Sequence, residues 1–162
     1  MSKTDISRDF ENKTVIVKRT FAAPRSKVWK AFTDSALLEK WWAPKPWKAV
    51  TKNYSFTPGG EWLYYMEGPE GEKSWTFLKY EEIQPEDYFT AIDGFCDENG
   101  VVDHNLPSNT HWKNDFIEHG DSTEVVSILT FDTVENMQKL IEMQFEGGYT
   151  MGLNQLEELL AS

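Results

Sequence analysis

Residues 132–161, DTVENMQKLIEMQFEGGYTMGLNQLEELLA, decide the fold. Val134, Met137, Leu140, Ile141, Phe145, Tyr149, Leu153, Leu156, Leu159 and Leu160 recur three or four positions apart, the spacing of one apolar face of an α-helix. Asp132 and Glu135 form an Asp-x-x-Glu start resembling a capping box, so the pattern predicts one long C-terminal helix. Gly147, Gly148 and Gly152 interrupt it, each at a cost of about 1 kcal/mol relative to Ala. Three glycines in a helix that length need compensation by a close approach to the sheet, a kink, or room for a ligand.

The residues before this helix alternate with period two. Residues 14–21, 50–56, 61–67, 74–82, 88–95, 111–118 and 123–131 read as seven strands. Turn sequences such as Pro58-Gly59-Gly60, Gly68-Pro69-Glu70-Gly71 and His119-Gly120-Asp121 separate them, and short connections mean antiparallel neighbours. Between the first and second strands, Pro24 with Val28 and Phe32, then Leu37 and Leu38 with Trp41 and Trp42, predict two short helices. Thr33, Asp34 and Ser35 offer the cap oxygens between them, and Pro44 and Pro46 close the second. Residues 96–110 are polar and longer than a hairpin needs, which suits either a lid or an ordered surface loop. The expected class is α+β: a curved seven-stranded antiparallel sheet wrapped around a long C-terminal helix, with two short helices after strand 1 plugging one end. A single domain is expected over residues 14–162, preceded by a polar, loosely held segment over residues 1–13.

Composition narrows the function. The 162 residues include 7 Trp, 6 Tyr and 10 Phe, a heavy load of rings for one small domain. A formal net charge of −11 repels phosphate backbones, so nucleic acid is a poor partner. The charge is uneven: residues 1–53 carry 12 Lys and Arg against 5 Asp and Glu, and residues 54–162 carry 4 against 22. The two segments are expected to attract each other in the folded chain. Cys96 stands alone among acidic Asp93, Asp97 and Glu98, so no internal disulfide forms and no activated thiol is expected. With no signal-peptide core and no apolar run of membrane-spanning length, a cytoplasmic location is expected.

Three blocks near the start carry a resemblance: Phe21-Ala22-Ala23-Pro24, Val28-Trp29-Lys30-Ala31-Phe32-Thr33-Asp34 and Leu38-Glu39-Lys40-Trp41-Trp42-Ala43-Pro44. Pro58-Gly59-Gly60, Met66 to Gly71, Ile83-Gln84-Pro85 and Gly148-Tyr149 with Leu153, Leu156 and Leu159 follow in order. The chain thereby resembles the Hsp90 ATPase activator homologue family of the START/Bet v 1-like superfamily. The resemblance implies a helix-grip fold, which hosts ligand carriers, hormone receptors and cyclases, and so fixes architecture more tightly than function. Tyr149 stands where many relatives have Trp.

The candidate site is an internal cavity between sheet and C-terminal helix, holding a small hydrophobic or aromatic molecule. Arg19 sits among the inward residues Val15, Val17 and Phe21, and would anchor a ligand's carboxylate, carbonyl or phosphate or pair with an internal carboxylate. Trp62 and Tyr64 share one strand face, Trp75 and Phe77 a second, and Trp112, Asn114 and Phe116 a third; Trp42, Gly148, Tyr149 and Gly152 complete the set. His104, His111 and His119 match no common zinc spacing, and neither a nucleophile elbow nor a phosphate loop is present, so no metal or cofactor is expected. Two alternatives stand beside the binding module. One is a cofactor-free cyclase or isomerase using Arg19, Tyr64 and a buried carboxylate. The other, implied by the resemblance, is a protein-interaction domain that docks on an Hsp90-like chaperone.

Overall fold

The computed structural model describes residues 3–162. In chain order the elements are β1 (Asp5–Asp9), β2 (Thr14–Phe21), α1 (Arg25–Thr33), α2 (Ser35–Trp41), β3 (Lys48–Tyr54), β4 (Glu61–Glu67), β5 (Lys73–Gln84), β6 (Tyr88–Cys96), β7 (Ser108–His119), β8 (Ser122–Thr130), α3 (Val134–Glu142) and α4 (Phe145–Ala161). The strands form one antiparallel sheet in the order β1-β2-β8-β7-β6-β5-β4-β3. β3 through β8 are neighbours in sequence order, joined by turns except for the longer β6–β7 connection, and α1 and α2 carry the chain from β2 to the far edge. The curved sheet and the C-terminal helix give the helix-grip architecture.

Two differences from the sequence reading have physical causes. The sheet has eight strands, because β1 pairs with β2 from Asp5↔Lys18 to Asp9↔Thr14 within the segment expected to be loosely held. Only Ile6 of β1 packs against the core, so this strand rests on its backbone ladder and leaves almost no apolar alternation in sequence.

The C-terminal segment is two helices rather than one. Thr133, not Asp132, caps α3 by accepting the Asn136 N–H at 3.0 Å. Gln144 then takes a left-handed backbone (φ 66°) that turns the chain into α4. The break thus precedes the glycines. At Gly152 the cause is a close approach: an added Cβ would lie 3.1 Å from the Trp41 carbonyl oxygen and 3.3 Å from that of Trp42. The Gln155 side chain completes this junction, its Nε2 donating to the carbonyls of Trp41 and Ala43, both at 2.9 Å. Its Oε1 accepts the Lys45 N–H at 2.9 Å, so one amide satisfies the loose end of α2.

Tyr149, Leu153, Leu156 and Leu160 turn the buried face of α4 to the sheet and to α1 and α2. Trp41 is fully buried beneath this face and donates its indole N–H to Ala31 O at 2.9 Å. Asp34 caps α2 by accepting the N–H of Ala36 at 2.9 Å and of Leu37 at 3.4 Å. At the other edge of the sheet, Arg8 pairs with Glu146 (Nε to Oε2, 2.8 Å) and Arg19 with Glu157 (3.2 Å). The basic first third of the chain is tied to acidic α4 through these pairs. No helix of the described residues is long and apolar enough to cross a membrane.

Candidate functional site

Register decides which side chains meet. Tyr64 lies opposite Thr76, Asp93 opposite Thr110, and Trp112 opposite Leu129, so the even positions of β4, β5 and β7 share the inner face with the odd positions of β6 and β8. Facing them is the corner between α3 and α4. Between sheet and corner lies a half-enclosed pocket of about 230 Å³. Its aromatic wall is formed by Trp42, Tyr64, Phe95, Trp112, Phe145 and Tyr149, with Met66 beside them. Ser74, Thr76, Asp93, Thr110 and Gln144 supply the polar part.

The wall is fixed by hydrogen bonds and ring packing together. Trp42 donates its indole N–H to the Tyr64 hydroxyl at 2.8 Å, and burial holds that phenol well above its ordinary pKa. Phe145 stacks on Tyr149 at 5.7 Å, and both present edges to Trp112, at 5.9 and 5.5 Å. The Ser127 hydroxyl gives its proton to Asn114 Oδ1 at 2.6 Å, so the Tyr149 hydroxyl, 2.9 Å from Ser127 Oγ, is the donor to Ser127. Burial raises the Tyr149 pKa and keeps this chain neutral.

Asp93 sits where β6 shifts register against β7, between Asp93 and Gly94. Trp112 donates its indole N–H to Asp93 Oδ2 at 2.8 Å. Asp93 lines the hollow and is half-buried, with its carboxyl desolvated by the surrounding protein. Desolvation raises its pKa to about 7, against the opposing pull of hydrogen bonds from Trp112 and Thr110. Among the described residues no Lys, Arg or His lines the pocket.

Of the residues singled out in sequence, Trp42, Tyr64, Trp112, Gly148 and Tyr149 come together around this pocket. Trp62 and Asn114 lie deeper on the same face, beside a void of about 10 Å³. Trp62 stacks on Tyr64 at 3.9 Å and donates to Thr51 Oγ1 at 2.9 Å. Phe116 packs into the core against Trp29 and Phe32. Gly152 faces the end of α2 instead of the hollow. Arg19 is 2% exposed near the β1 edge, hydrogen-bonded to Thr4 Oγ1 at 2.7 Å and paired with Glu157. Trp75 and Phe77 lie opposite Tyr65 and Leu63, on the outer face of the sheet. There the Phe77 ring covers Gly94, where an added Cβ would come 3.0 Å from Cζ.

Asp93 is the residue that aromatic counting passed over. The signal for it is strand alternation, which puts Asp93 on one face with the apolar Phe89 and Ala91. The segment after β6 is tied down: Asp97 Oδ1 accepts the N–H of Asn99 and Val101 at 2.8 and 2.9 Å. Lys139 of α3 donates to Asn105 O at 2.6 Å, holding it beside the pocket's Pro107.

Comparison with known proteins agrees with this architecture. Protein Ms6760 from Mycobacterium smegmatis has a similar structure, with a TM-score of 0.90, 29% identity, and coverage of 99% of this chain and 97% of that one. A protein from Arthrobacter aurescens, solved by solution NMR, is 32% identical with a TM-score of 0.91, covering 97% of this chain and 91% of its own. A Staphylococcus epidermidis protein, also 32% identical, gives a TM-score of 0.83 over 96% and 93% of the two chains. No curated protein matches the sequence. The family model described as activator of Hsp90 ATPase homolog 1-like protein matches residues 22–161, nearly the whole helix-grip unit, and the chain belongs to that family.

Proposed function

We propose that the chain binds a small aromatic or hydrophobic molecule of one or two rings in the pocket between the inner sheet face and the α3–α4 corner. The observation that carries this reading is the hollow itself: about 230 Å³ stays unfilled in a protein whose rings pack closely elsewhere. An apolar cavity of about 150 Å³ is enough for benzene, so this one has room for a somewhat larger flat molecule. Aromatic walls with a few polar groups are the usual lining of such sites.

Gly148 gives a direct test, because it lines the pocket with only Pro44 Cγ near the place of its missing Cβ, at 4.0 Å. Gly148→Leu would fill the hollow while favouring the helix. Two-ring aromatic probes such as 2-naphthol should raise the melting temperature of the wild type and not of Gly148→Leu. Equal rises in both proteins would place binding elsewhere and overturn the reading.

The family match supports a second reading, docking on an Hsp90-like chaperone. A pull-down with Hsp90 and an assay of its ATPase separate the two, since pocket filling by Gly148→Leu leaves a surface interaction intact.

A further inference from the structure

We propose that the pocket selects organic cations, aromatic molecules carrying a protonated amine, with the ammonium group set against the Asp93 carboxylate. This rests on the pocket's being a ligand site and adds the ligand's charge. Asp93 is the one carboxyl in the lining, and among the described residues no ion pair reaches it and no cationic side chain shares the hollow. A carboxylate inside a largely aromatic wall, with only neutral donors from the protein, is compensated either by a proton or by a cation that enters beside it. The six aromatic residues of the same lining add the quadrupole attraction by which aromatic cages hold ammonium groups. The net charge of −11 draws cations towards the protein and repels a carboxylate ligand.

The pH dependence follows from the groups around Asp93. Tyr64 on β4 and Tyr149 on α4 are held protonated far above neutrality by burial, and the Cys96 thiol on β6 is pushed up to about 11. Thr76 of β5, Thr110 and Trp112 of β7, and Leu140, Met143 and Gln144 at the α3–α4 corner do not titrate. Asp93 is therefore the pocket group that changes charge between pH 6 and 8.

Calorimetric titration with 2-naphthylmethylamine, 2-naphthylmethanol and 2-naphthoate tests this on the wild-type protein. At pH 8 the amine should bind at least tenfold more tightly than the alcohol, with naphthoate weakest. Lowering the pH to 6 should weaken the amine about fivefold to tenfold as Asp93 gains its proton, leaving the alcohol unchanged. Asp93→Asn keeps an acceptor for Trp112 and should abolish both the amine preference and its pH dependence. An alcohol that binds as tightly as the amine at pH 8 overturns the cation proposal and leaves the binding pocket standing. If none of the three binds, the pocket reading falls, and this proposal with it. The wild-type series decides the matter even if the variant fails to fold.

Discussion

Trp112 and Asp93 are joined across neighbouring strands by an indole N–H to carboxylate bond of 2.8 Å, and both face the hollow beneath α4. The bond holds an acidic group in a largely aromatic wall. It offsets part of the desolvation of Asp93, whose pKa nevertheless stays near 7. The pocket thus contains a side chain that changes charge near neutral pH.

That raised pKa has a consequence for stability. Between about pH 4, where an unfolded carboxyl titrates, and about pH 7, the folded chain keeps a proton that the unfolded chain has released. Stability from Asp93 is therefore lost as pH rises through this window, by up to about 1.4 kcal/mol per pH unit, and the loss levels off above it. Urea unfolding from pH 4.5 to 8 should show Asp93→Asn gaining on the wild type as pH rises. Parallel curves would mean that Asp93 is ionised throughout.

The glycines of α4 should differ in their response to a side chain. Gly147 is exposed with nothing near its missing Cβ, so Gly147→Ala should stabilise by about 0.5–1 kcal/mol through helix propensity. Gly152→Leu meets the carbonyls of Trp41 and Trp42 and should destabilise by about 2 kcal/mol or more, with α4 forced away from α2. Thermal unfolding of the two variants checks the contrast, and a Gly152→Leu protein as stable as the wild type would show that α4 can shift at no cost.

Arg19 and Glu157 form the polar fastening between β2 and α4. The guanidinium is almost fully buried and its Nε has no hydrogen-bond partner, while Glu157 keeps 23% of its side chain exposed. Glu157→Leu leaves a buried cation with less compensation and should cost about 1–3 kcal/mol, below the range for fully buried pairs. Adding Arg19→Met should recover most of that loss. Chemical denaturation of the two single variants and the double gives the coupling, and additive losses would mean that the pair does not act as a unit.

The sequence made the helix-grip frame legible through alternation, turn residues and the 3.6-residue period of the last segment. It hid features that depend on contacts between distant elements. One is β1, held by pairing rather than burial. Another is the break at Gln144, where a non-glycine residue takes the left-handed conformation and no propensity marks it. The candidate site was half legible for the same reason. Period two grouped Trp62 with Tyr64 and Trp75 with Phe77, but only the β4–β5 register shows that the second group faces outward. Arg19 read as inward and is inward, yet it meets α4 near the β1 edge, away from the hollow.

The pocket's two tryptophans give the most direct test of ligand binding. The indole N–H resonances of Trp42 and Trp112 belong to the wall, whereas Trp41 is buried beneath α4 and Trp29 packs against Phe56, Phe89 and Phe116. Titrating ¹⁵N-labelled protein with 2-naphthylmethylamine should move the Trp42 and Trp112 signals in a saturable way and leave those of Trp41 and Trp29 in place. Indole signals that all stay fixed at millimolar probe, or shifts confined to tryptophans outside the wall, would contradict a ligand site between the sheet and the α3–α4 corner.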